Sequence, residues 1–71
     1  MTMYSLYEGL LKIIIIQQTN GWRYQVLDGS ARVGEGDGYI EKKYAESVGR
    51  SVAKQVIKER KMIEKLYAAS L

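Results

Sequence analysis

Arg50, Lys54, Lys58, Lys61 and Lys65 recur at spacings of three and four residues. On a helix that advances about 100° per residue they fall into one narrow stripe. A row of guanidinium and ammonium groups can hold phosphates or carboxylates, so the chemistry on offer is anion binding. The same helix carries Ala45, Val48, Val52, Val56, Ile63 and Leu66 on its other side, giving an apolar seam with a basic back. A lysine-rich stripe also serves simply to keep a helix face in water. The charge is unevenly placed, however: residues 42–71 hold Lys42, Lys43, Arg50, Lys54, Lys58, Arg60, Lys61 and Lys65 against Glu46, Glu59 and Glu64, within a chain of net charge +3. That asymmetry points to nucleic acid or an acidic protein surface as the expected partner.

Bond-making chemistry is harder to find. The chain has neither His nor Cys, which removes the commonest general base, thiol nucleophiles, disulfides and zinc sites of the usual kind. Ser47 and Ser51 have no base to activate them. Asp28, Glu35, Asp37 and Glu41 stand near Gly-rich turns, where acids serve turns and helix N-termini. Gly34-Glu35-Gly36-Asp37-Gly38 has the glycines of a phosphate-cradling loop, but it includes two acids and no Lys-Ser/Thr pair follows, so it reads as a turn from sheet to helix. The expectation is a non-enzyme with no catalytic residues, no metal and no cofactor.

The elements that position the stripe follow from length and pattern. A 71-residue chain forms one domain and buries only about 60% of its unfolded surface, so a second copy would help to stabilise it. The run from Leu10 to Ile16 is short and broken by Lys12, and no basic leader or cleavage site accompanies it. No membrane span or signal peptide is expected, and the cytoplasm is the expected location.

Asn20-Gly21 and Asp28-Gly29 are hairpin signals. They predict three strands, Lys12 to Thr19, Trp22 to Leu27 and Ser30 to Glu35, with residues 1–10 as an extended lead-in or a short helix. Two-residue loops at those dipeptides set Ile15 opposite Val26 and Val26 opposite Ala31. One face then collects Ile13, Ile15, Trp22, Tyr24, Val26, Ala31 and Val33, and the helix should cover it. Ile14, Ile16 and Leu27 fall on the other face, where a second copy or a folded-back Tyr4, Leu6 and Tyr7 would have to cover them. The helix should begin near Glu41 and run close to the chain end. Ala45, Gly49 and Ala53 allow close approach to a bulky residue such as Trp22, and Glu46 is placed to pair with Arg50, as Glu64 is with Lys61.

Residues 22–57, with Gly34-Glu35-Gly36-Asp37-Gly38, Lys42-Lys43 and Ala45-Glu46 after a three-stranded meander, resemble the C-terminal half of double-stranded RNA-binding domains. The resemblance implies that Lys42 and Lys43 meet phosphates across a major groove, with Lys54 and Lys58 as further additions. The family's first helix and the loop between its first two strands are not matched.

The sequence therefore predicts an α+β domain, a three-stranded antiparallel meander packed against one long C-terminal amphipathic helix. Its function would be a binding module for nucleic acid, or alternatively a homodimeric protein-interaction module that uses Ile14, Ile16 and Leu27.

Overall fold

Gly9 divides the N-terminal segment in two. Its φ of +59° turns the chain after β1 (Met3–Glu8) and sends it back as β2 (Leu11–Gln18), so the sheet has four strands where three were expected. β3 (Gly21–Asp28), β4 (Ala31–Tyr39) and the helix α1 (Lys42–Ala69) complete the fold. The structure, a computed structural model, describes residues 2–69.

The sheet is an antiparallel meander in the order β1-β2-β3-β4. Its loops are Gly9-Leu10, Thr19-Asn20 and Gly29-Ser30, because Glu8 pairs with Leu11, Gln18 with Gly21 and Asp28 with Ala31. Gly29 shares the φ of +59° seen at Gly9, the positive first position that a Gly-X two-residue hairpin loop requires. Each of the two expected loops is thus displaced by one residue along the chain. The register moves by two: Ile15 lies opposite Tyr24 and Ile13 opposite Val26. An even shift leaves every side chain of β2 and β3 on its expected face.

β4 differs more. Gly34 and Gly36 are not in a turn but in the strand, opposite Val26 and Tyr24, and two register shifts interrupt the β3–β4 ladder. Glycines and acids alternate with the pleat, so Gly34 and Gly36 face the helix while Glu35 and Asp37 face away. A Cβ on Gly34 would lie 2.7 Å from Val52, and one on Gly36 would lie 2.6 Å from the Tyr24 ring. The missing side chains let α1 settle onto this edge. Ala31, expected under the helix, is exposed at the loop.

Leu11, Ile13, Ile15, Tyr24 and Val26 form the sheet side of the core, and Ala45 and Ala53 the helix side. Gly49 completes the small-residue track, and a Cβ there would stand 2.8 Å from Ile13 and 3.5 Å from Tyr24. The close approach is therefore to Ile13 and Tyr24; Trp22 is half-buried at the margin. β1 does not fold back over Ile14 and Ile16. It lies beside β2, with Tyr4 and Leu6 packed on the core side.

The helix outruns the sheet. Its 28 residues extend roughly 42 Å at 1.5 Å each, whereas eight-residue strands reach about 26 Å. The molecule is accordingly elongated, 51 × 20 × 14 Å. Beyond Ile57 every described residue of α1 is exposed, including Met62, Ile63, Leu66 and Tyr67.

Candidate anion-binding surface

All seven candidate cations, Lys42, Lys43, Arg50, Lys54, Lys58, Lys61 and Lys65, lie on α1, but their surroundings divide them. Glu8, at the end of β1 with its side chain on the helix side, receives the N-terminal end of the stripe. Arg50 donates to Glu8 Oε2 at 3.3 Å, and Lys54 Nζ lies 3.9 Å from Glu8 Oε1. Glu46 accepts from the Tyr4 hydroxyl, and no Glu46–Arg50 or Lys61–Glu64 ion pair forms among the described residues. The Glu46–Arg50 pair expected along the helix is thus replaced by contacts to β1, because the strand brings a carboxylate and a phenol to the helix flank. At the helix start, Lys43 Nζ is 3.3 Å from Glu41 and 5.3 Å from the Tyr44 ring centroid. Lys58, Lys61 and Lys65 make no ion pair among the described residues. With Lys54, Ile57 and Met62 they line a shallow depression along the outer flank of the helix.

Two apolar residues among four lysines matter chemically. Ile57 and Met62 lower the hydration of the depression, while the ammonium groups around them keep a positive field over it. Where α1 leaves the sheet, Arg60 donates to Asp28 Oδ2 at 2.8 Å, and a second depression forms between the Gly9-Leu10 loop and Ile57, Arg60, Lys61 and Glu64. Asp28, expected as a turn acid, is thus also the anchor of the helix exit.

The opposite sheet face is built differently. Ile14, Ile16 and Leu27 share it with Met3 and Tyr7, which are 69% and 63% exposed, while the three candidates themselves are half-buried. Its β3–β4 half is ionic: Arg23 pairs with Glu35 and, at 3.5 Å, with Asp37, and Arg32 lies 3.2 Å from Glu35. The acids of the glycine run are therefore committed to arginines on this face.

Two tyrosines are held neutral. Burial pushes the Tyr4 hydroxyl up to about 12, helped by its hydrogen bond to Glu46 and by that carboxylate's charge. Tyr24 is also raised, first by burial and then by Tyr39 and Glu35; the Tyr24 and Tyr39 rings pack at 5.9 Å. Among the described residues no three acidic side chains gather in a way that could hold a metal ion, and no helix is long and apolar enough to cross a membrane.

No family model matches the chain, and comparison with curated proteins and with solved structures gave no significant match.

Proposed function

We propose that this chain is a non-catalytic binding module that holds nucleic acid or a nucleoprotein against the basic flank of α1, in the cytoplasm and without a cofactor. The observation that carries the reading is the division of the stripe: Lys58, Lys61 and Lys65 are exposed and without ion pairs among the described residues, whereas Arg50 and Lys54 share Glu8. Unpaired ammonium groups are the ones whose counterions a polyanion can displace. Lys42 and Lys43 extend the surface to the helix start, as the resemblance to double-stranded RNA-binding domains implies. Three to five phosphate contacts on a duplex would give a slope of log K against log salt of roughly −2.7 to −4.5.

Size-exclusion chromatography with light scattering tests this, with a short mixed duplex at low and moderate salt. The reading expects co-elution that disappears as salt rises, and loss of co-elution when Lys54→Glu is combined with Lys58→Glu. A chain that elutes apart from the duplex at low salt contradicts it.

A second reading has its own observation. Ile14, Ile16 and Leu27, joined by exposed Met3 and Tyr7, give the sheet an apolar half on the face the helix does not cover, a surface suited to a protein partner. Under that reading the lysines provide solubility. Ile14→Lys with Ile16→Lys would then abolish the protein contact while leaving any duplex binding in place.

A further inference from the structure

We infer that two copies of this chain join edge to edge through β1, with Ser5 on the two-fold axis, to make one continuous eight-stranded sheet. The inference does not depend on what the basic flank binds.

The two edges of the sheet are unlike. β4 carries two register shifts, the positive φ of Gly38 and the charged Arg32, Glu35 and Asp37, features that blunt an edge against pairing. β1 pairs in unbroken register from Met3 to Glu8 and contains neither Pro nor Lys. Its one charged residue, Glu8, is occupied by Arg50 and Lys54.

Hydrogen-bond parity then selects a register. The Gln17 N–H donates to the Thr2 carbonyl at 2.8 Å, and Met3 lies opposite Ile16. Thr2, Tyr4, Leu6 and Glu8 therefore direct their amide groups toward β2, and Met3, Ser5 and Tyr7 direct theirs to the free edge. An antiparallel pairing that sets Ser5 against Ser5 of the second copy also sets Met3 against Tyr7 of the second copy. All three outward residues then fall in hydrogen-bonded pairs, for about six backbone hydrogen bonds.

The side chains agree with that register. Met3 meets Tyr7 on the open face, Leu6 meets Tyr4 on the core side, and the small Ser5 sits at the axis, so no like charges oppose each other. The helix leaves room for the second copy, because α1 lies over β2, β3 and β4 and touches β1 least. In the dimer the two helices stand on the same side of the sheet with a trough between them. Tyr4, Leu6 and Glu8 form its floor, and Arg50 and Lys54, the residues that reach Glu8, line both walls. Ile14, Ile16 and Leu27 stay on the other face.

Light scattering on the free chain tests the assembly, and two variants test the register. The mass of two chains is expected, falling to that of one in Ser5→Pro with the far-ultraviolet spectrum retained, because the proline removes an outward N–H and no bond of the β1–β2 ladder. The chain has no Cys, so Ser5→Cys introduces a single thiol; mild oxidation should cross-link it across the axis at least tenfold faster than Leu10→Cys, whose side chain stands free on a loop. The cross-linking result decides the matter even if the proline variant does not fold. A monomer at all concentrations would overturn the inference, as would a dimer split by Ile14→Lys with Ile16→Lys but not by Ser5→Pro, or equal cross-linking of the two cysteine variants.

Discussion

The two ends of α1 share one amphipathic pattern and live in different surroundings. From Ala45 to Ile57 the seam is made of small and medium residues pressed on the sheet, with Ala45, Gly49 and Ala53 buried. From Met62 to Tyr67 the same stripe continues as Ile63 and Leu66, which are 64% and 69% exposed. Apolar periodicity records which way a helix faces, and the length of the opposing strands decides how far that face is covered. The basic side divides at the same point. Over the sheet Arg50 and Lys54 find Glu8; near and past its end Lys58, Lys61 and Lys65 form no ion pair among the described residues. One helix thus supplies both the lid of the core and the free charge of the candidate site.

The contrast is broken most severely at the core. Ile13→Ala should cost about 2–5 kcal/mol because it empties a fully buried site, whereas Leu66→Ala should change stability by no more than about 0.5 kcal/mol; urea midpoints for the two variants measure the difference. Gly49→Ala is the next largest test. Alanine is the better helix former by about 1 kcal/mol, but its methyl would meet Ile13, and such overpacking costs about 1–3 kcal/mol. A net loss of stability is expected, and a gain would mean that helix and sheet are less closely packed than described.

Tyr4→Phe sharpens the link between β1 and the helix, with an expected loss of about 1–2 kcal/mol for the bond to a carboxylate. The pH dependence follows from the raised Tyr4 value. The unfolded chain releases this proton near the ordinary tyrosine value of 10.0, and the folded chain at about 12. Stability contributed by the neutral phenol is therefore fully present below pH 10 and lost as pH rises toward 12. Denaturant midpoints of wild type should fall over that window, and Tyr4→Phe should fall less, with the raised Tyr24 supplying the remainder. The smallest effect is dynamic: amide exchange should be slow from Ala45 to Ile57 and much faster from Met62 to Ala69, where the described side chains are exposed.

Much of this architecture was legible in the sequence. Period two assigned Ile13, Ile15, Tyr24 and Val26 to the covered face, and that assignment withstood a wrong register because the error was two residues. Asn20-Gly21 and Asp28-Gly29 misplaced the loops because a turn-forming dipeptide does not say which of its residues ends the strand. β1 was hidden by Leu10-Leu11, where an apolar loop residue merged with the following strand. The glycine run looked like a turn by composition, although its alternation with Glu35 and Asp37 was a strand signal. The basic stripe was legible as a row of charges. Its division was not, because Glu8 lies 42 residues from Arg50 and nothing local to the helix announces that pair.

The division of the stripe is tested most directly by measuring duplex binding by fluorescence anisotropy across a salt series, with the two groups of cations neutralised separately. Lys58→Gln, Lys61→Gln and Lys65→Gln together should flatten the slope of log K against log salt by about 2–3, since each lost phosphate contact removes about 0.9, while Arg50→Gln with Lys54→Gln should change it by less than about 1. Equal flattening by the two sets, or no binding by the wild-type chain at low salt, would contradict the assignment of the free lysines as the anion-binding surface.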